Sequence, residues 1–209
     1  MATLAELEAR LTRLSDIKEI QKLQHIYGYY QDYCEWQKIV DLFTDNGPSV
    51  EEADRGVYRG KEGVRRYYIE LLGGGPSKPI KPGYLGIMFQ LQGVITVNPD
   101  GKSAKARWYG MGMEAKPTVT IHEGELRQTW IHGIYENEYV KEDGLWKLKK
   151  LYFNLVFRTP FEMGWLKVPV IGQNGPDTVI KPDAAPTAYH PYPSGYRLPV
   201  SFKHPITGQ

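Results

Sequence analysis

Cysteine is nearly absent from this chain of 209 residues: Cys34 stands alone. One thiol cannot close an intrachain disulfide or supply the thiolates of a structural zinc site. Such sparing use of cysteine fits a reducing, cytoplasmic setting. Long apolar runs are missing too. No stretch approaches the ~18 residues of a membrane span, and the opening MATLAELEARLTRLSDIKEI is charged and helical, without the apolar centre of a secretory signal. The expectation is a soluble protein with no membrane partner. Charge of one sign is not in excess, since the formal net charge is +2. The densest basic cluster, Lys147, Lys149 and Lys150, lies beside Leu148 and Leu151 and reads as a solvated strand edge. No nucleic-acid partner is expected from it. The chain also lacks GxGxxG, GxxxxGK(S/T) and GxSxG motifs, and His25, His122, His190 and His204 have no metal-ligand spacing such as HExxH. Gly73-Gly74-Gly75 reads as a flexible loop at a cavity mouth. The thiol of Cys34 adjoins Glu35, whose carboxylate disfavours the thiolate.

What the chain has in quantity is aromatic surface: 15 Tyr, 5 Trp and 6 Phe. Tyrosine carries an apolar body and a polar tip, which suits both core filling and a pocket for a ring-bearing ligand. Leu4, Leu7, Leu11 and Leu14 recur at helical spacing, and Asp16 with Glu19 predicts a capping box that restarts or bends the helix. Ile17, Ile20, Leu23, Ile26, Tyr27 and Tyr30 carry the stripe on to about Cys34. Further helices are predicted over Trp36 to Phe43 and Lys61 to Leu72. The pattern then turns to strands: Tyr84 to Val97, Ser103 to Glu114, a segment from Pro117 to about His122, Leu126 to Val140, and Trp146 to Phe157 after the turn Asp143-Gly144. Helices followed by a meander of long antiparallel strands argue for an α+β layer structure, the sheet curling around the helices and leaving an open mouth. Nine of the 15 prolines fall at or after Pro160, yet Trp165, Tyr189, Tyr192, Tyr196 and Phe202 make this tail too aromatic for a disordered linker. The division read here is an α+β domain over residues 1–160 and an extension over 161–209 that packs on it or on a neighbouring subunit.

Several of these segments resemble a known family. Tyr27 to Trp36 followed by Asp41-Leu-Phe-Thr-Asp45, then Gly60 to Gly63, Asp100-Gly101, and Gly133-Ile-Tyr135 leading to Asp143-Gly-Leu-Trp146 together resemble the SnoaL-like branch of the nuclear-transport-factor-2-like superfamily. That resemblance covers roughly residues 15–165 and implies a cone-shaped α+β barrel. Within the superfamily, scytalone dehydratase and bile-acid 7α-dehydratases are similar in placing a Tyr and, five residues later, an Asp at the end of the first helix, here Tyr27 and Asp32. The segment Leu151 to Pro160 and the tail run His190-Pro-Tyr-Pro-Ser-Gly-Tyr196 resemble a narrower group, the bacterial lyases that remove formaldehyde from lignin-derived diaryl dimers without a cofactor.

The residues themselves leave choices open. Five residues turn a helix by roughly 500°, so Tyr27 and Asp32 share a face only if the helix frays near Tyr33; Tyr27 is otherwise a core residue and Asp32 a solvated helix end. An imidazole can in general exchange a proton under physiological conditions, so His132 would form an acid–base dyad with Asp32 if the two met; otherwise it is a satisfied core or interface histidine. Strand alternation sets His132 opposite Tyr135, so one of them faces the pocket unless a bulge intervenes. Tyr152, Asn154, Val156 and Arg158 alternate against Leu151, Phe153, Leu155 and Phe157. Arg158 suits a phenolate or a carboxylate, or equally a surface ion pair. By resemblance, Asn154 joins Tyr27, Asp32 and His132 as a catalytic residue, while Tyr30, Trp108, Tyr135, Tyr152 and Arg158 contact a small hydrophobic aromatic substrate.

The implied activity is a lyase that needs no cofactor, taking water and formaldehyde from a diarylpropane diol to leave a stilbene. Two alternatives stand beside it: a dehydratase or isomerase on a polycyclic or steroid-like substrate, and a non-catalytic ligand-binding module. A homo-oligomer, dimer or trimer, is expected from the outward aromatics and the clinging tail.

Overall fold

The computed structural model describes residues 2–75, 80, 82–117, 126–171 and 180–208. Helix α1 (Leu4–Asp32) is continuous and begins at a capping box between Thr3 and Glu6 rather than restarting at Asp16. Asp16 is instead a buried mid-helix residue, and its Oδ1 accepts from Lys141 Nζ at 2.7 Å and Trp146 Nε1 at 2.9 Å. A buried carboxylate so satisfied ties the helix to the sheet. The early leucines form the expected helical stripe, but Leu4, Leu7, Leu11 and Leu14 face solvent; burial on α1 starts at Asp16 and Ile20.

Helix α2 (Trp36–Asp41) follows, then two short strands that periodicity did not mark, β1 (Ser49–Glu52) and β2 (Gly56–Arg59). Four-residue strands are too brief to display an alternation. Helix α3 (Gly60–Arg65) runs into a π-helical segment, Arg66–Leu72, within the predicted third helix. The long strands are β3 (Leu85–Val97), β4 (Ser103–Pro117), β5 (Leu126–Glu142) and β6 (Leu145–Pro160), followed by a single turn, α4 (Gly164–Lys167). The expected segment from Pro117 to His122 lies, past Pro117 itself, outside the described residues.

The sheet order is β2-β1-β6-β5-β4-β3, with β1 parallel to β6 and every other pair antiparallel. The sheet is curved and unclosed, edged by β2 and β3, and its concave face holds the helices. The core lies between them, with Ile20, Ile39, Phe43, Val64, Tyr68, Leu148 and Leu155 all buried. Past residue 180 the chain straps the convex side. Ala184 bridges Val57, Thr187 bonds Glu51 through both its N–H (2.7 Å) and its hydroxyl (2.6 Å), and Tyr192 N donates to Val156 O at 2.8 Å.

Candidate functional site

Between the end of α1, the π-helical segment and strands β1, β3, β5 and β6 lies a cavity of about 480 Å³. That volume suits a drug-sized ligand. Four of the residues expected at a site line it: Tyr27, Asp32, Tyr135 and Arg158. Tyr27 and Asp32 line the same cavity although both lie within α1, whose last residue is Asp32, capped by Tyr33 at φ −90° and ψ 6°. Asp32 Oδ1 accepts from Met88 N at 2.8 Å, which fixes the carboxyl against β3. Burial raises the pKa of this carboxyl despite the Met88 bond.

Tyr27 and Tyr135 meet at the cavity floor, their ring centroids 6.2 Å apart and edge to face. Tyr68 donates its hydroxyl to that of Tyr27 at 3.2 Å. Burial drives all three phenols well above their ordinary range, so each stays a neutral hydrogen-bonding group.

His132 does not join them. On β5 the inward residues are Ile131, Tyr135 and Asn137, and alternation turns His132 to the convex face, where Nδ1 lies 2.9 Å from Gly110 O and the ring sits between Tyr109 and Phe157. The expected pairing with Asp32 is therefore absent. Tyr152 and Asn154 also lie outside the cavity: the Tyr152 hydroxyl is 3.3 Å from Asn154 Oδ1 and 3.4 Å from Ala188 O, beneath the tail. Arg158 was read as sharing their face, but the pairing steps from Gly133↔Leu155 to His132↔Phe157, leaving Val156 as an extra residue. This bulge inverts the parity and turns Arg158 inward. Trp108 is buried in the core, donating Nε1 to the Tyr139 hydroxyl at 3.2 Å. Tyr30 packs at the helix surface with Lys38 Nζ 5.6 Å from its ring centre. Neither lines the cavity.

The sequence reading missed the charged wall. Glu52 on β1 is buried and bonded by Arg158, by Tyr67 and, at 3.4 Å, by Arg55; Asp54 takes the other branch of Arg158. Glu52, Arg55, Tyr67 and Arg158 line the cavity, whereas Asp54 stands behind it. Burial alone would raise the pKa of Glu52, yet the charges of Arg55 and Arg158 outweigh it and hold the carboxylate below its usual range. Asp54 moves the other way, raised by burial and by the neighbouring Glu52 charge. Tyr84 and Glu114 complete the polar lining. The run Glu51-Glu52-Ala53-Asp54-Arg55 is rich in charge and carries no local signal of burial. Only the parallel pairing of β1 with β6, Glu52 opposite Phe153, brings it under the cavity. Among the described residues no histidine lines the cavity, and no three of His, Cys, Asp and Glu converge as metal ligands.

An α+β cone holding a deep cavity between its helices and a curved sheet defines the class of protein. The chain belongs to the SnoaL-like domain family, whose model matches residues 12–152. No curated protein matches it. A provisionally assigned scytalone dehydratase from Novosphingobium aromaticivorans superposes with a TM-score of 0.56 at 16% identity, covering 78% of this chain and 98% of its own. A hexachlorocyclohexane dehydrochlorinase from Novosphingobium barchaimii LL02 gives 0.56 at 20% identity, covering 73% and 94%. A provisionally assigned aromatic ring hydroxylase, again from N. aromaticivorans, gives 0.56 at 16%, covering 70% and 94%. At these identities the likeness establishes the fold. No helix among the described residues is long and apolar enough to cross a membrane.

Proposed function

We propose that the cavity is the active site of a cofactor-independent lyase that eliminates from a hydrophobic aromatic alcohol. The observation that carries this reading is that Tyr27, Asp32, Tyr135 and Arg158 line one cavity of mixed apolar and polar surface. Burial raises the Asp32 carboxyl above its ordinary range, which favours its giving and then taking a proton. Neutral tyrosines orient hydroxyl groups, and guanidinium groups held in place by Glu52 and Asp54 meet an electron-rich oxygen.

For a diarylpropane diol with a para-phenolate the steps balance without an outside oxidant. Asp32 protonates the benzylic hydroxyl, the carbon–oxygen bond breaks, and water leaves as the phenolate electrons form a quinone methide. Asp32, now a carboxylate, takes the proton of the terminal hydroxyl. The carbon–carbon bond breaks, formaldehyde leaves, and its electron pair returns the ring to a phenolate on a stilbene. Arg158, backed by Arg55, holds the phenolate oxygen at both ends of the sequence, while Tyr27 and Tyr135 position the benzylic hydroxyl. Each acid–base step contributes roughly 10²–10⁴-fold.

Loss of water alone, without carbon–carbon cleavage, uses the same residues and is the second reading, favoured by the likeness to the scytalone dehydratase. The test is incubation with a diarylpropane diol followed by assay of formaldehyde and stilbene. Equimolar release supports the lyase. A dehydrated product that retains all its carbons supports the dehydratase, and no conversion of any aromatic alcohol offered supports a binding module.

A further inference from the structure

Five aromatic rings run in one contiguous array along the cavity, with Tyr27 as the middle member. Tyr27 meets Tyr68 edge to face at a centroid distance of 6.3 Å on one side, and Tyr135 at 6.2 Å on the other. Beyond Tyr68 comes Trp36, stacked on it at 6.4 Å with 23° between the planes. Beyond Tyr135 comes Phe153, tilted against it at 4.6 Å. All of them line the cavity except Tyr68, which is buried beneath Trp36. The array therefore offers two ring platforms, Trp36 from the helices and Phe153 with Tyr135 from the sheet, and sets Tyr27 between them. Tyr30, Trp108 and Tyr152, the other rings expected against a substrate, do not line the cavity.

Local structure holds the indole in place. Helix α1 stops at Asp32, Cys34 turns the chain in the left-handed region at φ 56°, and Trp36 opens α2. One turn thus delivers both Asp32 and Trp36 to the cavity. Facing it, the π-helical segment ends at Gly73, whose N–H donates to Tyr68 O at 3.0 Å. A Cβ on Gly73 would stand 2.7 Å from Trp36 Cδ1 and 2.6 Å from Ile69 O, so close packing, and not its φ of −77°, calls for glycine there. One face of the indole is taken by Tyr68 and its Cδ1 edge by Gly73. The side chain is still only partly buried, and among the described residues Trp36 is the one tryptophan that lines the cavity.

We infer that Trp36 is a specificity-determining residue of this site: it stacks the second ring of a two-ring substrate and so selects diaryl over single-ring alcohols. The inference rests on the reading of the cavity as a site for aromatic alcohols and adds to it the number of rings. A one-ring alcohol with its ring on Phe153 and Tyr135 and its hydroxyl at Tyr27 leaves the indole uncovered. A second ring, joined through the hydroxyl-bearing carbons, covers it. Stacked aromatic pairs gain free energy beyond the area they bury, whereas a saturated ring of the same size gains burial alone. The cavity of about 480 Å³ has room for both rings.

The test measures binding, so that ring number is separated from chemistry. The two-ring probe is a stilbene with a para hydroxyl on each ring, and the one-ring probe is para-ethylphenol. Both are titrated by calorimetry into wild type, Trp36→Leu and Trp36→Phe, each checked by far-ultraviolet circular dichroism. Trp36→Leu weakens the two-ring probe roughly tenfold, about what one stacked ring contributes, and leaves the one-ring probe within about twofold. Trp36→Phe recovers most of the loss. A second measurement needs only wild type and Trp36→Phe, and so stands even where Trp36→Leu does not fold. With the indole nitrogens isotope-labelled, the magnetic-resonance signal missing from Trp36→Phe shifts when the two-ring probe is added to wild type and stays in place with the one-ring probe. A signal that does not move with the two-ring probe overturns the inference, as does a folded Trp36→Leu that loses both probes equally or neither. Wild type that binds neither probe overturns it together with the aromatic reading of the site. Binding that depends on Trp36 without turnover of any aromatic alcohol upholds it and sinks the lyase reading alone.

Discussion

Replacing Arg158 by Met tests the charged wall. Arg158 is 2% exposed and donates to Glu52 and to Asp54. Glu52 keeps Arg55 and Tyr67 after the substitution. Asp54 does worse: its Oδ2 loses Arg158, and its Oδ1 is already buried without a hydrogen-bond partner. Removing one partner of a buried pair costs about 3–5 kcal/mol, a large part of the ~5–15 kcal/mol that holds a typical domain. At ~2–4 °C per kcal/mol for a chain of this size, the midpoint of thermal unfolding falls by roughly 6–20 °C. Asp54 also sets the pH dependence. Its pKa is raised in the fold, so its contribution is fully present below the unfolded value and is lost as pH rises through the folded one. The deficit of Arg158→Met therefore shrinks as pH falls, and Asp54→Asn in the same chain recovers part of it at neutral pH. Urea unfolding followed by circular dichroism, for both single variants and the double, measures all three effects. A loss under about 1 kcal/mol that does not change with pH would refute the argument that these charges are mutually dependent.

Further outcomes follow from other parts of the molecule. Asp32→Asn is more stable than wild type above the unfolded carboxylate pKa, since burial opposes ionisation there, and the difference disappears as pH falls below that value; paired thermal melts across pH show it. Gly93→Ala places a Cβ 2.0 Å from Cζ3 of the buried Trp108 ring, and overpacking of this kind costs about 1–3 kcal/mol by urea unfolding. Thr187→Val removes the hydroxyl donor from the buried Glu51 carboxylate, leaving it the backbone N–H at position 187 and Lys150, at a cost of about 1–3 kcal/mol by urea unfolding. Deleting Val156 removes the bulge but leaves Leu155 and Arg158 both facing inward in strict alternation, so the shortened chain keeps its Arg158-dependent stability and loses only the Tyr192 bond to Val156 O, at about 0.5–1.5 kcal/mol by urea unfolding.

Much of the architecture was legible because its signals are long. Strands of 13 to 17 residues show alternation and end in Asp-Gly or Asn-Pro turns, and the apolar stripe of α1 persists over several turns. What escaped were features that depend on partners distant in sequence. The strands β1 and β2 are too short for a period, and the buried role of Glu52 comes from its pairing opposite Phe153. The bulge at Val156 carries no local mark, since neither Gly nor Pro stands there, yet it decides that Arg158 faces in while Asn154 faces out. Residue types also mislead: an Asp sixteen residues into the chain with a Glu three later reads as a cap, and becomes a buried acceptor only once Lys141 and Trp146 are brought to it. His132 was set beside Asp32 by the family resemblance, with parity leaving His132 or Tyr135 to face in; the strand turns Tyr135 inward.

The central claim is that chemistry belongs to the concave cavity reached by Asp32 and not to the convex face that holds His132. Turnover of a diarylpropane diol by purified wild type, Asp32→Asn and His132→Ala, each checked for folding, tests it directly. The account predicts that Asp32→Asn lowers kcat by roughly 10²-fold or more while His132→Ala stays within a few-fold of wild type. Full activity in Asp32→Asn together with an inactive, folded His132→Ala would contradict it.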